Sequence, residues 1–121
     1  MISFKTTRLE REWESVDPRL KFLLYALTGY IGDFRVTCLV RTQEENANVG
    51  GHPRSKHLTG EAADVNPARE EGDPVGWRYR AKCFLDKHTS GVDSIIHGLP
   101  GHLHIEIDPD FPDIGGQLIK A

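Results

Sequence analysis

Two segments of this chain carry side chains that can do chemistry: Ser55-Lys-His57-Leu-Thr-Gly60-Glu-Ala62-Ala-Asp64-Val65 and, further on, His102-Leu-His104-Ile-Glu106. Together they supply an imidazole, a carboxylate and a second imidazole, the ligand set a catalytic zinc takes when its fourth position stays open for water. That set predicts metal-assisted hydrolysis. His and Asp in place of thiolates, and three outstanding ligands in place of four, favour a catalytic ion over a structural one. A single histidine is usually a surface or hydrogen-bonded residue, and this is the reading for His88 or His97 taken alone. Six histidines in 121 residues is only modestly rich. The weight falls on the joint occurrence of His-x6-Asp around a small-residue turn and His-x-His on an alternating strand.

The elements that must position these groups follow from the same residues. A spacing of seven between His57 and Asp64 lets a loop turn back at Gly60 and run into a strand, so that both side chains face one point. Gly60 permits a positive φ or a close backbone approach, and Ala62 leaves room beside an ion. His102 and His104 point to one face of a strand, while Leu103, Ile105 and Ile107 form the opposite, apolar face. Upstream, Asp17-Pro18 reads as an N-cap with proline in the first turn of a helix through Leu20, Leu23, Leu24 and Leu27 to Gly29. Residues 34 to 39 are β-branched and apolar and predict the first core strand, ending at Arg41. Residues 43 to 56 read as loop, 62 to 65 as a strand stopped by Pro67, and 69 to 73 as a turn.

Asp73-Pro74 opens a second helix through Trp77, Ala81, Phe84 and Leu85, with Trp77 and Tyr79 both assigned to the core. Residues 93 to 97 and 102 to 108 make a hairpin, and the tail from 109 wraps the surface or frays. Trp13, in a charged leader, reads as part of an exposed segment that packs on the sheet edge or meets a partner. The expectation is an α+β fold, one domain over 1–121, with a small antiparallel sheet carrying the site and helices packed on one face.

Composition agrees. With 38% hydrophobic and 27% charged residues the chain can bury one modest core. A net charge of −3 and a pI near 6.0 argue against a nucleic-acid binder, which would show a basic stripe. Arg54 and Lys56 flank the motif and can draw an acidic peptide toward it. The amino end lacks the pattern of a secretory signal, and no run approaches the roughly 20 apolar residues of a membrane span. Cys38 and Cys83 fit no zinc thiolate motif and are expected free. Oligomeric state is not legible.

The motif Ser-x-His-x-x-Gly-x-Ala-x-Asp, with a His strand downstream, resembles the zinc D-alanyl-D-alanine carboxypeptidases and dipeptidases and their endolysin relatives that cut the L-alanyl-D-glutamate bond of peptidoglycan. Ser55, His57, Gly60, Ala62 and Asp64 match its fixed positions. The resemblance extends over about residues 35 to 107, through Arg41 at a strand end and the polar, glycine-containing residues 46 to 51. It implies one Zn2+ held by His57, Asp64 and His104, Ser55 hydrogen-bonding substrate, and a peptidoglycan stem peptide as partner. A cell-wall substrate implies synthesis in the cytoplasm and release to the wall, as through a phage holin, or assembly into a virion.

One departure matters. Relatives place an acidic general base three residues before the last ligand, or a Glu six before; here those positions are Gly101 and Gly98. His102 is then the best candidate for the catalytic base, because lysostaphin-like relatives carry a non-ligating first His in a His-x-His pair, and an imidazole of pKa near about 6.5 accepts a proton at neutral pH. His97 and Glu106 are weaker alternatives. Arg41 is expected to bind a substrate carboxylate or steady the oxyanion. Two other readings stand beside the peptidase: a Hedgehog-like zinc domain that binds without cutting, and a purely structural metal site.

Overall fold

The computed structural model describes residues 1–69, 72–98 and 101–108. Five strands form one sheet in the order β1-β2-β3-β5-β4, where β1 is Ile2–Phe4, β2 Phe34–Cys38, β3 Ala62–Pro67, β4 Val92–His97 and β5 His102–Ile107. The four strands from β2 to β4 pair antiparallel, as the sequence predicts. β1, which was not expected, adds a parallel edge beside β2, so the sheet is mixed within an α+β fold.

Alternation sorts the sheet into two faces. Val36, Ala63, Val65, Leu103, Ile105 and Ile107 are buried on one of them, under α2 (Pro18–Ile31) and α4 (Pro74–His88). Leu20, Leu23, Leu24 and Leu27 of α2 recur at helical spacing and enter the same core as Trp77, Ala81, Phe84 and Leu85 of α4. The other face carries Asp64, Asn66, His102, His104 and Glu106, one residue out of phase with the core. An apolar anchor on one face thus holds a polar surface rigid on the other.

Both helices begin as the sequence indicates. Asp17 caps α2 by accepting from the Arg19 backbone N–H at 2.9 Å, and Asp73 caps α4 by accepting from Gly76 N–H at 2.8 Å. Two further helices lie where none was expected. α1 (Thr7–Glu12) follows β1, capped by Thr6, and α3 (Gln43–Asn48) occupies the predicted loop. A capping box at Thr42 and Glu45 starts α3, each side chain accepting from the other's backbone N–H at 3.1 Å. Tyr79 is also corrected: it is exposed on α4, whereas Trp77 is in the core. Trp13 is half-buried and packs edge-on against Phe4 and Tyr25, with ring centroids at 5.4 and 5.9 Å. The expected tail from 109 lies outside the described residues.

Gly60 ends a 3-10 turn, Lys56–Thr59, at φ +74°. Its carbonyl accepts from Asp17 N–H at 2.9 Å, and a Cβ there would come within 2.7 Å of the Ser15 carbonyl oxygen. The turn bearing His57 is therefore docked on the start of α2. Gly60→Ala is expected to destabilise the protein by roughly 1–3 kcal/mol. Gly29→Ala, at an open helical position with ordinary φ, should instead leave stability unchanged or raise it by up to about 1 kcal/mol. Thermal denaturation of the pair checks this, and equal effects would refute the docking argument.

Asp17 gives a pH prediction. Hydrogen bonds from the Arg19 side chain hold its carboxyl below the ordinary range, against a smaller opposing effect of burial. A lowered carboxyl stabilises above its unfolded pKa, and that contribution disappears as pH falls through the folded value. Asp17→Ala should cost about 1 kcal/mol at neutral pH. The difference from wild type should shrink below about pH 4. Urea denaturation across that range tests it; a difference constant into acid would show that the charge is irrelevant.

Candidate metal centre

Asp64 sits in the middle of the polar face, 4% exposed. β5 places His104 directly opposite it, and Ile95 of β4 directly opposite His104. On the other side, a bulge between Val36 and Cys38 shifts the β2 register, so that Cys38 rather than Thr37 faces Asp64. The backbone beyond β2 then runs to Arg41, whose N–H donates to the His57 carbonyl at 3.0 Å and ties the strand end to the 3-10 turn. Ser55 caps that turn, its hydroxyl accepting from His57 N–H at 3.2 Å.

These elements bring the predicted residues together. His57 Nε2 lies 3.2 Å and His104 Nδ1 2.9 Å from the same oxygen, Oδ1 of Asp64. Oδ2 faces His102 Nε2 at 3.6 Å and Arg41 Nη2 at 3.9 Å. The far nitrogens of the first two imidazoles are already committed. His57 Nδ1 donates to the Leu39 carbonyl at 2.6 Å, and His104 Nε2 lies 2.9 Å from Glu106 Oε1. Each ring thereby turns one nitrogen inward while the other is fixed by an outer partner, the arrangement by which metal-ligating histidines are oriented.

Arg41 is held by Asn46, whose side-chain oxygen accepts from Nη1 at 3.3 Å and whose amide donates to the His52 carbonyl at 2.8 Å. His97 of β4 pairs across from His102, with ring centroids 4.8 Å apart. A cleft of about 560 Å3 opens over the group, walled by Arg41, Val49, His52, Ser55 and Ile95 as well as the acid and imidazoles. Five of the six histidines line it. His88 does not: it packs on Tyr30 and Phe84.

The electrostatics favour positive charge at Asp64. Burial alone would push its carboxyl up, but hydrogen bonds to His104 and His57 outweigh this and hold it well below the usual carboxylate range. Burial likewise opposes a charged His57, yet the hydrogen bonds to Asp64 and Cys38 raise it to about 10. His104 is raised against burial by Asp64 and Glu106. His102 differs: burial prevails and lowers it, so its ring is neutral at physiological pH.

Cys38, His57 and Asp64 also form a close trio of donors within 4.8 Å of one another. The thiol, however, lies 3.8 Å from His57 Nδ1, the nitrogen engaged by Leu39, and so belongs to the outer side of the ring. Neither cysteine is in a disulfide. Sequence reasoning missed the roles of Asn46 and His52. It also placed Glu106 among candidate bases, whereas its carboxylate is bound to His104; period-two spacing on β5 was the available signal.

No helix among the described residues is long and apolar enough to cross a membrane. No curated protein and no solved structure matches the chain. The family model for Peptidase M15 matches residues 20–98, more than half of the sequence and inclusive of the motif with His57 and Asp64. This chain belongs to the Peptidase M15 family of zinc peptidases.

Proposed function

We propose that the protein hydrolyses a peptide bond of the peptidoglycan stem, as a D-Ala-D-Ala carboxypeptidase or an L-Ala-D-Glu endopeptidase, with one zinc ion held by His57, Asp64 and His104. A single observation carries this reading: two imidazoles, each anchored at its outer nitrogen, converge on one buried carboxylate oxygen. A divalent cation fits that donor set, and a neutral-imidazole and carboxylate set suits zinc. Zinc held there would supply Lewis-acid polarisation of a carbonyl and a bound water of lowered pKa.

The chain's own residues do the rest. His102, neutral and beside Asp64, takes the proton of the attacking water at Nε2 and returns it to the leaving amine. Arg41, its fork steadied by Asn46, binds a substrate carboxylate or the developing oxyanion. Ser55 keeps its hydroxyl hydrogen for a substrate carbonyl while its oxygen caps the turn under His57. Glu106 fixes the tautomer and tilt of His104.

One observation favours a second reading, a zinc-containing binding module: neither Gly98 nor Gly101 offers the acidic base of relatives. Zinc-loaded protein incubated with purified muropeptides, with and without chelator, separates the two. Mass spectrometry should reveal new stem termini that chelation abolishes; intact stems under both conditions would assign the binding role.

His102→Ala is expected to keep one zinc per chain and lose about 10²–10⁴-fold in turnover; full turnover would exclude His102 as the base. Glu106→Gln should weaken zinc about 10–100-fold. Competition with a chromophoric chelator measures it, and unchanged affinity would show that Glu106 does not support the ligand.

A further inference from the structure

Beyond His102 the polar face of the sheet continues into a second cavity of about 420 Å3. His102 lines both this cavity and the cleft over Asp64, so the two adjoin across one imidazole. Lys5, Arg35 and Arg78 contribute its cations, Asn66 and Gly101 its polar floor, and no carboxylate lines it among the described residues. Each cation arrives on a different element. Lys5 follows β1 with its N–H bonded to the Val36 carbonyl at 2.9 Å. Arg35 stands on β2 opposite Asn66. Arg78 comes from α4, its Nε donating to Asn66 Oδ1 at 2.9 Å and its Nη2 to the Gly101 carbonyl at 3.1 Å.

Glycine at 101 makes this possible. A Cβ there would lie 2.3 Å from Arg78 Nη1, so any other residue would displace the guanidinium from its place on the Gly101 carbonyl. The position at which relatives carry an acid is here the floor of a basic cavity. Among the described residues no acid lines the recess, where Lys5 and Arg78 focus a field that draws anions, and a guanidinium together with an ammonium matches a carboxylate.

We propose that this cavity is a second substrate subsite, taking a carboxylate carried by a peptide residue beyond the scissile bond, on the opposite side of His102 from Arg41. The inference rests on the peptidase reading and extends it: the substrate spans His102 and carries an acidic residue on the far side, as internal cleavage of an acidic stem requires.

The test uses two synthetic stem peptides, L-Ala-γ-D-Glu-L-Lys-D-Ala-D-Ala and the same peptide with the D-Glu carboxylate amidated. For zinc-loaded wild type, amidation should lower kcat/KM about tenfold. In Lys5→Gln, at an exposed position, and in Arg78→Gln the acid-to-amide ratio should move toward one. Equal turnover of the two peptides by wild type, or an unchanged ratio in Lys5→Gln, overturns the subsite. A second readout does not need turnover: in two-dimensional NMR of the chelated protein, the acidic peptide should shift the amide signals of Lys5, Asn66 and Gly101 more than its amide does. Charge-dependent shifts without cleavage would leave the subsite standing and remove the peptidase; cleavage without charge discrimination would do the reverse.

Discussion

A carboxylate buried in the middle of a sheet is the constraint on which this molecule turns. An ion of that kind costs several kcal/mol to desolvate, and removing a partner from such a pair leaves an uncompensated charge. Asp64 therefore needs donors on both oxygens, and no single element can provide them. Strand β3 is central, so partners come from both flanks: His104 and His102 from β5, and Arg41 and His57 from the segments that follow and oppose β2. The strand order, the bulge at Cys38 and the docked Gly60 turn are the geometric conditions for meeting that one demand. The negative charge thus held in place is what draws positive partners to the point where the imidazoles meet.

The apolar face makes this polar concentration tolerable. Burying aliphatic side chains of α2, α4 and three strands contributes about 25 cal/mol per Å2 removed from water, without any directional requirement. The directional work is confined to the opposite face. Because side chains alternate with period two, the residues that anchor β5 in the core fix where His102, His104 and Glu106 point. A one-residue slip would exchange the two sets entirely, so the core specifies the register of the site as well as the stability of the fold.

This explains what was legible in the sequence. The convergence of the candidate site could be read because each side chain's type and spacing constrains its place: His57 and Asp64 across a glycine turn, His102 and His104 on one strand face. The antiparallel strands and the two long helices were legible through periodicity and Asp-Pro caps. What escaped was short or depended on tertiary contact. α3 has six residues and a weak apolar pattern; its capping box, Thr42-Gln-Glu-Glu45, was present but was outweighed by the surrounding Asn and Gly. β1 has three residues and exists through its pairing with β2, which no local pattern announces. Tyr79 and Trp77 share a helix two positions apart, and only the packed sheet decides which of them turns inward. Glu106 was visible on the right face, yet its attachment to His104 is a matter of distance.

Gly101 was legible as a departure and illegible as a device. From the sequence it is a missing acid. In the fold it is a space of the size of a side chain filled by the Arg78 guanidinium, which clamps the Gly101 carbonyl together with Asn66. An acid at 101 and the clamp would compete for one volume, so the bare glycine and the guanidinium on its carbonyl are a single structural arrangement. The next residue, His102, carries a neutral imidazole. Burial lowers the pKa of its ring, and the neighbouring histidines act in the same direction against the attraction of Asp64. The basic recess thus depends on one glycine, and the neutral imidazole at its rim on burial.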